Sequence, residues 1–136
     1  MPYTYEWPRP SVTVDALIFT RGAKREVLLI QRKGEPFKGR WAIPGGFVDM
    51  DEDLEPAAHR ELEEETGLRG VKLEQFRTYG TPSRDPRGRT ISVVYVGEVD
   101  AKPAVKAQDD AAAARFWPLD GLPEPLAFDH DTILKE

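Results

Sequence analysis

A chain of 136 residues, 40% hydrophobic and 32% charged, has room for one domain with one apolar core and excludes a multidomain, collagen-like or broadly disordered protein. Its 24 acidic and 19 basic residues leave a net charge of -5, the wrong sign for gripping nucleic acid through phosphate contacts, so no nucleic-acid partner is expected. With no cysteine and two histidines, disulfides, thiolate metal sites and cysteine nucleophiles are excluded, a multi-histidine metal site nearly so, and a reducing compartment fits. Residues 1–10 hold three prolines and three large aromatics, which suit an extended docking strap or a frayed end and not a helix. They lack the basic start and apolar centre of a secretion signal, and no apolar run approaches the roughly 20 residues that span a bilayer. The expected location is therefore cytoplasmic, without a membrane partner.

Ser11 to Thr20 and Glu26 to Gln31, rich in β-branched and apolar residues, are expected to form strands joined as a hairpin through residues 21–25. Residues 33–46 carry four glycines and two prolines and read as loop around a short extended piece, Trp41-Ala42-Ile43. Leu54, Ala58 and Leu62 recur every four residues, predicting a helix from Leu54 to Thr66 that Gly67 stops; Pro56 falls in its first turn, where amide donors lack partners anyway. Val71 to Tyr79 and Thr90 to Val99 read as strands around the turn-rich residues 80–89, residues 101–107 as polar loop, and Ala112 to Leu119 as a last strand. A short helix is expected from Ala127. Strands on either side of a central helix, with a second helix at the end, imply an α/β protein whose mixed sheet lies between helices.

The stretch from Gly46 to Leu68, GFVDMDEDLEPAAHRELEEETGL, is the most informative. On a helix Glu61, Glu64 and Glu65 are three or four positions apart, so their carboxylates leave one face within reach of a common point. Their repulsion costs a few tenths of a kcal/mol per pair, and inside the helix only Arg60 offsets it. Oxygen ligands gathered without thiolate or histidine suit a hard cation, Mg2+ or Mn2+, which completes its shell with water and substrate phosphate. The plainer reading is a solvated acidic helix face. This segment holds nine acidic residues against one arginine, a local charge of -8, so that the rest of the chain carries +3. The acidity is thus confined to the segment that would hold metal, within a slightly basic body suited to an anionic ligand.

The spacing decides between the two. Gly46, five residues, Glu52, seven residues, Arg60-Glu61-Leu62, one residue, Glu64-Glu65, one residue, Gly67-Leu68 resembles the Nudix box in full. The resemblance implies a single Nudix hydrolase domain over residues 1–136 with its box at 46–68, an αβα sandwich. It implies that Glu61, Glu64 and Glu65 bind metal, with Glu61 a ligand or a base, and that the loop of Gly45 and Gly46 adds a backbone carbonyl. It implies that Arg60 orients these carboxylates with Glu52 as its partner. The activity implied is hydrolysis of a nucleoside diphosphate linked to another group, with Mg2+ or Mn2+ as cofactor. In this family the general base is sometimes a box glutamate and sometimes an acid from a later loop, where Asp109 and Asp110 stand; the plainer reading makes them turn residues.

For the substrate, Pro82 lies about as far beyond the box as the proline that marks ADP-ribose pyrophosphatases of this family. The run Arg84-Asp85-Pro86-Arg87-Gly88-Arg89 and the tail Leu126-Ala127-Phe128-Asp129-His130 also resemble those enzymes and their nucleotide-sugar-cleaving relatives. Arg84, Arg87 and Arg89 form a flexible cationic loop able to meet diphosphate or ribose-phosphate oxygens, or else a solvent-facing turn paired with acids. Arg32, Lys33, Lys38 and Arg40 flank the loop before the box, and Arg32 and Arg40 are carried as substrate-binding candidates. Trp41, Phe37 and Tyr79 belong to the core or stack on a base, and His130 has a packing or capping role. The expected reaction cleaves ADP-ribose or a similar nucleotide sugar to a nucleoside monophosphate and a sugar phosphate. The alternatives are a nucleoside triphosphate pyrophosphohydrolase and, from another class, a non-catalytic ADP-ribose-sensing module; the whole box and a chain ending at Glu136 favour the enzyme. Related enzymes are often dimers, which makes Trp7 and the strap the candidate surface for a homodimer.

Overall fold

A computed structural model describes residues 4, 6–22, 24–100 and 111–134. The longest contact in the sheet is one that local sequence does not announce. Strand β1 (Ser11–Thr20) lies parallel to β6 (Thr90–Val99) over ten consecutive pairs, from Ser11↔Thr90 to Thr20↔Val99. On its other edge β1 is shared: β2 (Glu26–Arg32) meets it antiparallel at Phe19↔Val27, and β4 (Gly45–Phe47) pairs with Thr13, Val14 and Asp15. The expected β1–β2 hairpin is therefore a hairpin only at its turn end. Beyond it β2 leaves to pair with β7 (Ala111–Pro118) and β3 (Trp41–Ala42), while β5 (Glu74–Tyr79) closes the far edge against β6.

Parallel pairing at the centre buries both faces of a strand, and β1 reads accordingly, with residues 13–18 buried without alternation. Val14, Ala16 and Ile18 point to the face covered by helix α1 (Leu54–Thr66), through Ala57, Ala58 and Leu62. Leu17 points to the opposite face, where Ile43, Leu126 and Ile133 of the short helix α2 (His130–Leu134) cover it. The sheet thus lies between helices, as expected.

Helix α1 has the predicted bounds. Asp53 caps its start, extended at φ -75° and ψ 161°, its carboxylate accepting from Leu54 N at 2.8 Å. Gly67 ends it in the left-handed region at φ 78°, its N–H donating to Glu63 O at 2.8 Å, a conformation that costs a residue with a Cβ more than glycine. Strand β5 starts at Glu74, three residues later than expected; Val71 and Leu73 before it are buried in the core under α1. The expected loop at 33–46 yields one further strand, since Gly45 begins β4.

Candidate active site

The box helix runs beneath β4, and that packing sets the site. At Gly45 an added Cβ would strike the Val14 carbonyl and the Asp15 backbone of β1; at Gly46 it would strike the carboxylate of Glu61. Two adjacent glycines therefore let the loop approach both the central strand and the helix. Glu65, buried on the inner side of α1, accepts from Gly45 N at 2.9 Å and ties helix and loop together.

Arg60 organises the acidic cluster. Its Nε and Nη2 meet both oxygens of Glu52 at 2.6 and 2.9 Å, and Nη1 reaches Glu61 at 3.2 Å and Glu64 at 3.0 Å. Nη2 also donates to Phe47 O at 3.2 Å. The hydrogen bond from Arg60, helped by the amide of Asp49, holds Glu52 below the usual carboxylate range, while Glu52 raises the arginine further. Burial pushes the Glu61 carboxyl up against the opposing pull of Arg60, and Glu64 adds to the rise. Among the described residues no three acidic or histidine groups converge on a point at metal-binding distance. Arg60 instead spreads Glu52, Glu61 and Glu64 around its own guanidinium. The donors nonetheless fit a hard divalent ion in kind: all are carboxylate oxygens, Glu61 and Glu64 are each held by one hydrogen bond to the same Nη1, and Glu64 is nearly half exposed. A cation can take both oxygens without breaking the bidentate Arg60–Glu52 pair.

Beside this cluster a cavity of about 50 Å³, room for a few waters, opens between Gly45, Gly46 and Glu65 on one side and Arg32, Arg84, Asp85, Arg87 and Phe128 on the other. Asp15 and His130 form part of its wall. Asp15 is buried on β1, and burial lifts its carboxyl to about 7, with Arg84 pulling the other way and Asp129 adding to the rise. His130 is buried, accepts from Ile43 N at 2.9 Å through Nδ1, and is driven by burial to about 3, so it stays neutral and packs, as expected.

The arginines that sequence grouped together separate here. Arg84 departs from the expected flexible cationic loop: its side chain is 4% exposed, with Nε and Nη2 on the carboxylate of Asp129 at 2.8 and 2.6 Å and Nη1 on Ser92 Oγ at 2.7 Å. Ser92 in turn hydrogen-bonds the hydroxyl of Thr13. Arg87 lines the cavity, paired with Asp85. Arg89 is exposed and donates to Gly80 O, closing the turn it belongs to. Arg32 lines the cavity, donating from Nε to Pro36 O at 2.7 Å, whereas Arg40 is exposed over the ring of Phe37. Trp41 packs edge-on against Trp117. Asp109 and Asp110 lie outside the described residues. The sequence assigns no role to Asp15, Asp85, Phe47 or Phe128, although Asp85 and Phe128 fall in the two stretches that resemble ADP-ribose pyrophosphatases. For Asp15 a signal existed: a single acid inside the otherwise uncharged strand SVTVDALIFT.

The candidate site is thus framed by a mixed sheet between helices, with a glutamate-bearing helix beneath a double-glycine loop. The NUDIX domain family matches residues 9–136, and the chain belongs to it. It is 46% identical to an ADP-ribose pyrophosphatase of Methanocaldococcus jannaschii over 127 residues, 93% of this chain and 72% of that one. It is 38% identical to an ADPR responsive transcriptional repressor of Acinetobacter baylyi over 135 residues, yet spans only 54% of the repressor's length. Among solved structures, the NUDIX domain of Shewanella oneidensis NrtR complexed with ADP ribose superposes at TM-score 0.84 with 36% identity, covering 95% of this chain and 86% of that one. A bifunctional NMN adenylyltransferase/ADP ribose pyrophosphatase of Francisella tularensis, complexed with AMP and a Mn ion, superposes at 0.79 with 31% identity, covering 96% of this chain and 42% of that one.

Proposed function

We propose that this chain is a metal-dependent pyrophosphohydrolase that cleaves ADP-ribose, or a closely related nucleoside diphosphate sugar, to a nucleoside monophosphate and a sugar phosphate. The observation that carries the reading is one cavity lined by the box residues Gly46 and Glu65 together with Arg32, Arg84 and Arg87, with the Arg60-held carboxylates of Glu61 and Glu64 on the same box helix as Glu65. Such a site receives an anion together with its cation. The likeness to the archaeal pyrophosphatase supports ADP-ribose as the substrate.

Glu61, Glu64 and Glu65 would hold a divalent ion, Mg2+ or Mn2+, with the loop at Gly45 adding a carbonyl. When bound, such an ion neutralises diphosphate oxygens and acidifies water. Arg60, fixed by Glu52, holds Glu61 and Glu64 on one nitrogen, so that loading would require both to turn from Arg60 toward the ion. Water adds to one phosphorus, the bridging P–O bond breaks, and the leaving phosphate departs with its electron pair. Where Glu61 does not ligate the ion it is the candidate base for the proton of that water, a role its partial burial supports; Asp110 is the alternative base. No helix among the described residues is long and apolar enough to cross a membrane. Trp7, 73% exposed, is the surface through which a homodimer would form.

The test is product analysis by phosphorus NMR on ADP-ribose, other nucleotide sugars and dNTPs with Mg2+. Fastest conversion of ADP-ribose to AMP and ribose 5-phosphate is expected; faster turnover of dNTPs contradicts it. The resemblance to ADP-ribose-bound NrtR favours a second reading, an ADP-ribose-sensing domain, and tight binding of ADP-ribose without turnover would select it.

A further inference from the structure

The three arginines of the loop between β5 and β6 are not equivalent, and their hydrogen bonds sort them. Arg84 spends all three nitrogens on Asp129 and Ser92. Arg87 spends one edge only: Nε lies 3.0 Å from Asp85 Oδ1 and Nη2 2.7 Å from Oδ2, while Nη1 makes no hydrogen bond or ion pair to any described residue. Asp85 is 4% exposed, and its other contact is the backbone N–H of Arg87 at 2.9 Å, so the carboxylate serves this one side chain. The guanidinium also lies over two phenyl rings, 4.6 Å from the centroid of Phe47 and 4.8 Å from that of Phe128. Phe47 directly follows Gly46, whose backbone abuts the Glu61 carboxylate. Phe128 holds φ at 53°, a conformation uncommon for a bulky residue, and packs edge-on against Phe37, itself at φ 61°, with centroids 5.0 Å apart. Arg32 lies over the same Phe128 ring at 5.0 Å.

We infer that Arg87 is the arginine of this loop that binds the anionic oxygens of the substrate, and that Asp85, Phe47 and Phe128 are its positioning residues. The inference rests on the pyrophosphohydrolase reading only for the identity of the anion. An arginine clamped on one edge by a carboxylate and lying over two phenyl rings has lost part of its side-chain entropy before ligand arrives, which lowers the cost of binding. Its uncommitted edge presents two N–H donors to a phosphate, and it lines the cavity that Gly46 and Glu65 line from the metal side. A diphosphate would there meet the Arg87 guanidinium on one side and, with a divalent ion bound, the box carboxylates' cation on the other.

The experiment compares R87A, R87K, D85N and F47L with wild type and with R69A, a remote and exposed arginine paired to Glu63. Steady-state kinetics on ADP-ribose are measured with Mg2+, and inorganic pyrophosphate is titrated calorimetrically into each protein without metal. One charge-assisted bidentate contact corresponds to about 10- to 100-fold in affinity. R87A is expected to raise KM and weaken pyrophosphate binding by about that factor while kcat changes less than about threefold. R87K is expected not to restore binding, since an ammonium cannot hold Asp85 bidentately and present a second edge. D85N and F47L are expected to fall between wild type and R87A, with R69A unchanged. Wild-type KM and pyrophosphate affinity in a folded R87A would overturn the assignment, as would full rescue by lysine. A wild-type protein that leaves ADP-ribose intact but loses pyrophosphate affinity on R87A would overturn the substrate reading and support the arginine assignment.

Discussion

Arg84 and Asp129, 45 positions apart in sequence, close a two-bond ion pair under the cavity, with the arginine almost wholly buried. The pair pins the segment bearing Phe128 and His130 to the turn that carries Asp85 and Arg87. Removing one partner of such a pair strands a charge out of water, which costs more than the pair itself contributes. D129N is accordingly expected to lower stability by about 3 to 5 kcal/mol in urea unfolding. A loss under about 1 kcal/mol would mean that water relieves the arginine and that the pair does not hold the tail.

The two glycines of the metal loop predict different failures. At Gly45 an added Cβ meets backbone atoms of β1, which cannot yield, so G45A is expected to destabilise the fold by more than about 2 kcal/mol. At Gly46 the obstacle is the end of the Glu61 side chain, which can swing away. G46A should therefore fold with a Tm within a few degrees of wild type and lose metal affinity. Calorimetric Mn2+ titration beside thermal melts separates the two, and equal melting losses would contradict the distinction.

Two buried groups oppose each other in pH dependence. His130 titrates near 3 when folded against 6.5 when unfolded, so the stability of its neutral form is full above 6.5 and declines as pH falls toward 3. Asp15 titrates near 7 when folded against 3.8 when unfolded, so its contribution is full below 3.8 and declines as pH rises toward 7. Between 3.8 and 6.5 the unfolded chain gains the histidine proton and gives up the aspartate proton, and the two slopes, each at most about 1.4 kcal/mol per pH unit, cancel. In the metal-free protein D15N should become more stable with rising pH across this window. H130N, whose amide oxygen still accepts from Ile43 N, should become less stable. Parallel pH profiles for the two variants in chemical denaturation would refute the opposed assignments.

What could be read in advance was local. Helix α1 was legible to the residue because its apolar stripe and its glycine stop are local, whereas the common point expected for Glu61, Glu64 and Glu65 is not formed among the described residues: Glu65 turns to Gly45 N, and Arg60 draws Glu61 and Glu64 to itself. The β1–β6 ladder was not legible, since a parallel partner some eighty residues away leaves no mark in either strand beyond its continuous apolar run. A separation of 45 positions likewise hid Arg84, which reads as solvent-facing in a run of glycine, proline and charge because its partner Asp129 lies in the tail. Asp85 and Phe128 were missed for a related reason: each acts by holding Arg87, and a positioning role is set by tertiary contact and not by residue type.

The most direct measurement is ADP-ribose hydrolysis by wild type and E64Q at saturating Mg2+, with ADP-ribose binding and circular dichroism measured on both. Glu64 is nearly half exposed and held by one hydrogen bond to Arg60, so the amide should leave fold and nucleotide affinity intact. Cleavage to AMP and ribose 5-phosphate by wild type, abolished by chelator and lowered at least about a thousandfold in E64Q, is the predicted result. A folded E64Q that turns over ADP-ribose at close to the wild-type rate would contradict the metal-binding role of the box.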